Sequence, residues 1–231
     1  MITCLIPARN ESGSLNLLVE SISSIEHISK IIIVEGGSHD DTWEQAQLIA
    51  RHNKKVRAIK QFNKGKFDAV LSASNLIETD FFIIWDADAT VAKDSVDKMI
   101  IRAITTGSVV IGDRLRGNIS PGAMQLVNYL GNWFFAFLWA PILQGKVNDL
   151  LCGSKIFPTK ILNSIPDWLI KNDPYGDFSL LAVCRKLNME FIPVDYSARI
   201  YGETNINRWK GAFQLFKVTL LIYFNIALKR I

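Results

Sequence analysis

Cysteine and histidine are scarce in this chain of 231 residues, with three of each. Cys4, Cys152 and Cys184 stand far apart and form no CxxC pair, which argues against a disulfide framework or a zinc cluster. His27, His39 and His52 lack metal-ligand spacing as well. So few unpaired thiols fit a reducing cytosol. Long apolar runs are also missing. The longest, Trp133–Leu143, has 11 residues and contains Pro141. Spanning a bilayer takes about 20, so no crossing segment is expected. Met1–Ile6 is a short apolar run before Pro7 and Arg9, unlike a secretory leader. Neither GxGxxG nor a Walker A sequence occurs, so dinucleotide binding and P-loop hydrolysis lose their usual warrant. Internal repeats, low-complexity tracts and linkers are lacking too, which leaves one domain as the simplest account.

Acidic side chains vanish from the last 28 positions. From Thr204 to Ile231 there is no Asp or Glu, while Arg208, Lys210, Lys217, Lys229 and Arg230 supply five positive charges. The whole chain carries +4, which leaves about −1 for residues 1–203. The excess is therefore a local basic patch, and no nucleic-acid footprint is expected over the domain. Apolar residues make up 49% of the chain against 21% charged, enough to bury a core and to exclude disorder.

The first half alternates between apolar strands and helical stretches. Ile2–Ile6 reads as a strand and Ser12–Glu26 as a helix. Lys30–Val34, with four consecutive β-branched residues, fits a buried parallel strand. Glu35-Gly36-Gly37-Ser38 then turns into a helix reaching Asn53, with Asp40 as its N-cap. Val56–Lys60 and Phe81–Trp85 are further strands around a helix over 67–78. A helix over 93–106 leads to the strand Val109–Ile111. Repeated β-α units imply a mostly parallel sheet with helices on both faces, and ligands beyond the carboxyl ends of its strands. After Gly112 the pattern becomes mixed. Helices are expected over 121–138, 176–187 and 208–230, extended chain over 149–157, a strand over 191–194 and a loop over 199–205.

Asp86-Ala87-Asp88 follows the fourth strand. Two carboxylates on one turn can hold Mg²⁺ or Mn²⁺, which prefer oxygen ligands, and a cation lets both stay ionised. The same pair would also suit a turn that caps the next helix. Glu35, before Gly36 and Gly37, can accept hydrogen bonds from a base or ribose while the glycines admit close backbone approach. A plain strand-to-helix turn explains it equally well. Asn63-Lys64-Gly65-Lys66 offers cations to a diphosphate, or is a solvated basic loop.

In order, and each after a strand, come Ile6-Pro7-Ala8-Arg9-Asn10-Glu11, Val34-Glu35-Gly36-Gly37-Ser38-His39-Asp40-Asp41-Thr42, and Trp85-Asp86-Ala87-Asp88-Ala89-Thr90. Together they resemble the inverting family 2 glycosyltransferases of the GT-A fold, whose motifs read PxxNE, DDGSxDxT and DAD. Gly112-Asp113-Arg114 is similar to that family's glycine–x–arginine stretch, Asp149–Lys155 to its DxxSGFR, and Arg199–Asn205 to its RxxGxSK. The resemblance covers about residues 1–208, and the nearest branch is that of the polyprenyl-phosphate, dolichol-phosphate mannose synthase-like transferases. It implies an α/β GT-A fold, and a nucleotide pocket lined by Pro7, Arg9, Glu11, Glu35, Gly37 and Ser38. It places Asp86 toward ribose or a metal-bound water and Asp88 on the metal. Lys66 and Arg199 would add charge at the diphosphate, and Arg114 would hold an acceptor phosphate. The cation would stabilise charge on the departing nucleoside diphosphate.

Some positions depart from the family. Glu35 and Gly36 replace its first two Asp residues, Asn205 stands where Lys or Arg is usual, with Arg208 nearby to compensate, and Cys152 and Lys155 replace Ser and Arg. Cys152 reads as a small core residue, because direct displacement needs no nucleophilic thiol. Asp177 lies near the family's catalytic carboxylate. It would act as general base toward a hydroxyl acceptor, be dispensable toward a phosphate acceptor, or simply begin a helix.

Gln125, Asn128 and Asn132 form a narrow polar stripe on an otherwise apolar helix, suited to an acceptor headgroup. Trp209, Phe213, Phe216, Leu220 and Phe224 form an apolar stripe among lysines in the last helix. That pattern fits an interfacial helix on anionic lipid, or packing on the body or a second subunit of a homodimer. The expected organisation is a transferase domain over 1–207 and a basic amphipathic helix over 208–231. The expected activity moves a sugar from a UDP- or GDP-linked donor, with inversion and a divalent cation, to polyprenyl phosphate at the cytoplasmic face of the cell membrane. A saccharide-elongating transferase, a nucleotidyltransferase and a non-catalytic nucleotide-binding, membrane-docking protein are the alternatives.

Overall fold

Alternate side chains of the central strands enter two different cores. Cys4 and Ile6 of β1 (Ile2–Ala8) pack with Leu15 and Val19 of α1 (Ser12–Ser23), whereas Leu5 faces the opposite side. Ile31 and Ile33 of β2 (Ile28–Glu35) follow the first set, Ile32 and Val34 the second. A strand covered on both faces must be apolar throughout, which is why these runs do not alternate with polar residues. The computed structural model describes residues 1–145, 147–202 and 208–229.

The chain continues through α2 (Thr42–His52), β3 (Val56–Lys60), α3 (Lys66–Ala73), β4 (Phe81–Ile84), α4 (Lys93–Thr106) and β5 (Val109–Asp113). Then come α5 (Leu126–Leu143), β6 (Lys155–Pro158), α6 (Asp167–Asn172), α7 (Asp177–Val183), β7 (Met189–Pro193) and α8 (Arg208–Ala227). The sheet order is β3-β2-β1-β4-β6-β5-β7, and only β6 runs antiparallel, against both β4 and β5. Helices α1, α2 and α4 cover one face, and α3, α5, α7 and α8 the other.

Several expected boundaries move. The helix foreseen over 67–78 stops at Ala73 and tightens into a 3₁₀ turn, Ser74–Leu76. The helix foreseen over 121–138 starts at Leu126, beyond Gly122 with its left-handed φ of 77°, and runs on through Pro141 to Leu143. Of the extended segment 149–157 only the end is strand, and α6 was not foreseen. Asp41 is the N-cap residue of α2, although Asp40 still accepts the Thr42 N–H at 3.1 Å.

One correction concerns the apolar helix α5. At 18 residues, α5 is long and apolar enough to cross a membrane by length and composition. Asn128 and Asn132 interrupted the run in sequence, but Asn132 is fully buried with Phe135 and Trp139 on the helix's inner side. Helix α8 packs on the body, one of the arrangements its sequence left open. Val218 and Ile222 are buried in the core of the α3 face, and Trp139 Nε1 donates to Thr219 Oγ1 at 3.1 Å. The boundary placed at 207/208 adjoins residues outside the described ones, and the departure at Asn205 lies among them.

Candidate active site

Strands β1, β2 and β4 are mutually parallel, so their carboxyl ends share one edge of the sheet. Because β6 runs the other way, the chain entering it, residues 149–154, arrives at that edge as well. Four stretches distant in sequence therefore meet beyond the strand ends.

The first two turns lock together. The His39 N–H donates to Asn10 Oδ1 (2.9 Å), the Asn10 N–H to Ser38 Oγ (3.0 Å) and the Glu11 N–H to Thr42 Oγ1 (2.8 Å). Asn10 adopts a left-handed φ of 55°, which asparagine tolerates. Glu35 is buried and accepts the Ser38 N–H on Oε1. Pro7 is partly buried, while Arg9 and Gly37 are exposed.

Charge is concentrated in the Asp86 turn. Lys66 Nζ stands 2.7 Å from Asp86 Oδ1 and 3.8 Å from Asp177 Oδ2. Burial works against the charge on Lys66, but Asp177 and Asp86 override it and raise its pKa. The Arg199 guanidinium spans two acids, Glu11 Oε1 at 2.6 Å and Asp88 Oδ2 at 3.0 Å. Asp88 Oδ1 also accepts the Thr90 hydroxyl at 2.9 Å. Burial opposes ionisation of Asp86, 39% exposed, yet Lys66 holds its carboxyl below the ordinary value. Burial and the charge of Asp86 push Asp88 upward, beyond what Arg199 offsets. Burial raises Glu11 likewise, despite Arg199 and Ser14.

This donor set suits a hard divalent cation. It offers carboxylate oxygens, and one of them is pushed toward protonation by its neighbour, a conflict that a bound cation removes. Among the described residues no group of three or more Asp, Glu, His or Cys is placed to hold a metal. Asp86 and Asp88 would need oxygens from the ligand itself, such as a diphosphate.

Arg114 is buried and doubly bonded to the fully buried Asp149, at 2.6 and 2.8 Å, with its guanidinium over the Tyr196 ring at 5.1 Å. Burial lowers its pKa, but Asp149 more than compensates and raises it. Cys152 is fully buried and its thiol is pushed up to about 11 by desolvation, in keeping with a core residue. Lys64 points outward while Lys66 turns in, so the basic loop divides between solvent and site.

A cavity of about 790 Å³ joins these groups to the apolar helices. Its charged end carries Lys66, Asp86, Asp88, Arg114, Asp177 and Arg199. Its other end lies between α5 and α8, where Leu130, Phe134, Trp209 and Leu215 line it. Gln125, Asn128 and Asn132 border the same space, and Asn132 Oδ1 accepts the Leu151 N–H at 3.1 Å. Pro7, Arg9, Glu11, Glu35, Gly37 and Ser38 do not line this cavity; they stand beside it at the ends of β1 and β2.

Three contributors were missed from sequence. Gly153 packs so closely on Asp86 that a Cβ there would lie 1.6 Å from Oδ2. Tyr201 lays its ring on Gly13, where a Cβ would come within 2.2 Å, and its hydroxyl accepts from Ser12 Oγ at 3.2 Å. Lys155 is fully buried and bonded to Asp177 at 2.7 Å. Each stood inside a recognised motif, Gly153 and Lys155 in Asp149–Lys155 and Tyr201 in Arg199–Asn205, but nothing in the sequence pointed to their partners.

Residues 3–164 match the profile of glycosyl transferase family 2. The chain is 27% identical over 211 residues to glycosyltransferase AglJ of Haloferax volcanii, covering 89% of this chain and 66% of that protein. It is 31% identical over 118 residues to the dolichol-phosphate mannosyltransferase of Pyrococcus furiosus (49% and 33% of the two chains). With the poly-beta-1,6-N-acetyl-D-glucosamine synthase of Staphylococcus aureus it shares 29% over 172 residues (72% and 42%). The chain thus spans between a third and two thirds of the length of these relatives. In fold it is similar to glucosyl-3-phosphoglycerate synthase of Mycobacterium tuberculosis, solved with Mn²⁺, UDP and glucosyl-3-phosphoglycerate. The TM-score is 0.69 at 17% identity, covering 96% of this chain and 79% of that one.

Proposed function

The chain belongs to glycosyl transferase family 2, and we propose that it moves a sugar, with inversion and a divalent cation, from a nucleotide sugar to a lipid-linked phosphate. One observation carries this reading. The cavity that holds the acidic turn and its cations continues, without a wall, into the apolar space between α5 and α8. A polyprenyl phosphate has that shape, a charged head on a long apolar chain. Exposed Trp133 and Phe137 on α5 and Trp209 and Phe213 on α8 would rest on the cytoplasmic face of a membrane beside that mouth.

In this reading Asp88 would hold the cation, with Asp86 beside it, and the cation would supply electrostatic stabilisation to the leaving diphosphate. Lys66 and Arg199 flank that diphosphate. The acceptor oxygen attacks the anomeric carbon from the face opposite the leaving group. A phosphate oxygen is already anionic and needs no base. Arg114, fixed by Asp149, offers its remaining N–H groups to that phosphate. Similarity to a dolichol-phosphate mannosyltransferase supports the acceptor. The likeness to a fold neighbour solved with Mn²⁺ and UDP supports the donor and cation.

Similarity to the poly-beta-1,6-N-acetyl-D-glucosamine synthase favours a second reading, elongation of a saccharide. Transfer assays with UDP- and GDP-sugars, Mn²⁺, and either short-chain polyprenyl phosphate or soluble saccharides separate the two. Product on the lipid phosphate, lost in Asp88→Asn, is expected. Product on saccharides alone would overturn the lipid reading. Arg114→Lys is the variant to pair with it. Arg114→Ala would leave Asp149 buried without a partner, at a stability cost of about 3–5 kcal/mol that would mask any acceptor effect.

A further inference from the structure

Lys155 has no exposed surface, so it reaches no ligand. Its Nζ donates to the Cys152 carbonyl and to Asp177 Oδ1, the latter at 2.7 Å. The other oxygen of Asp177 faces Lys66 Nζ at 3.8 Å, and Lys66 in turn meets Asp86 Oδ1 at 2.7 Å. Four charges of alternating sign therefore run from the interior to the cavity.

We propose that Lys155 and Asp177 are a positioning pair that sets Lys66 against Asp86, where the donor's diphosphate binds, and that Asp177 is no general base. The inference rests on the donor reading above. Asp177 Oδ1 is bonded to Lys155 at 2.7 Å and Oδ2 stands 3.8 Å from Lys66, so both oxygens are turned to cations, and the phosphate acceptor of the reading above needs no base. Lys155, fully buried, needs a counter-charge, because an unpaired cation in the interior is costly. Were Asp177 uncharged by substitution, the next carboxylate along this row of charges for Lys155 would be Asp86. Lys155 would then compete with Lys66 for Asp86, and the cation aimed at the diphosphate would lose its seat.

The competition makes a distinctive prediction for Asp177→Asn, Lys155→Met and the double variant. Calorimetric titration with Mn²⁺ and UDP or GDP should show about tenfold weaker binding in Asp177→Asn, the size of one lost charged contact. Its Tm should fall as well. Removing Lys155 too should return affinity to within about threefold of the original and recover Tm, because the competing cation is gone. Unchanged nucleotide affinity in Asp177→Asn, with transfer to a hydroxyl acceptor abolished, would make Asp177 a base and overturn the proposal. So would a double variant that folds and binds no better than Asp177→Asn, including the case in which neither folds. Should the unsubstituted protein bind neither nucleotide, the donor reading fails by itself, and the pairing is judged on the melting temperatures of single and double variants.

Discussion

Gly153 has no side chain to offer, yet it decides where Asp86 stands. A methyl group at Gly153 would overlap Asp86 Oδ2, so Gly153→Ala must push that carboxylate away from Lys66 and the Asp88 turn. The residue borders the cavity, and the fold itself loses little. We expect Mn²⁺-dependent binding of a nucleoside diphosphate to weaken roughly 10- to 100-fold, the range for changes behind a metal ligand. Urea unfolding should move only slightly. Equal losses in both measurements would show that the overlap is relieved by backbone movement instead. The contrast with Asp86 and Asp88 shows what a sequence displays. Both acids stand on one turn, within three residues, so their proximity is written in the chain. Their counter-ions are Lys66 and Arg199, from distant segments, and only the folded sheet edge brings them together. Lys155 was legible as a departure from a motif but not as the partner of Asp177, since burial of a lysine is invisible until its carboxylate is found.

Helix α8 has two faces with opposite consequences. Burial of Val218 and Ile222 contributes about 3–6 kcal/mol together, a large part of a typical stability of about 5–15 kcal/mol. A chain ending at Asn207 should therefore be insoluble or unfolded by circular dichroism, whatever its relation to lipid. Trp209→Ser with Phe213→Ser instead changes side chains that are 80% and 60% exposed. Tm should hold within a few degrees while co-sedimentation with anionic vesicles falls. Undiminished sedimentation of that double variant would remove α8 from the membrane-contact reading. Elements with a single strong periodicity, such as β3 and α4, were legible to the residue, because strand and helix patterns there have no competitor. In α5 the partly buried Asn128 and the fully buried Asn132 broke the apolar run, and at α6 six residues are too few for a helical period to show.

At the scale of the whole molecule, β-α alternation made the parallel half of the sheet legible, whereas the reversal of β6 had no signal. Four residues carry no direction, and the long-range partner that sets it cannot be read locally. That reversal has a consequence in time. Ile83 of β4 lies opposite Ile156 of β6, so their pairing closes a loop holding α4, β5 and α5. Contacts of such separation form slowly, because loop closure must be met before they stabilise anything. The first three strands and their helices pair among near neighbours, and have no such wait. During refolding from denaturant, far-ultraviolet ellipticity should thus recover ahead of nucleotide binding, with Gly153 reaching Asp86 only when β6 docks. Stopped-flow ellipticity that rises together with the nucleotide signal in one phase would contradict this order. A newly made chain would then pass through an interval in which it has most of its helices and no place for its substrate.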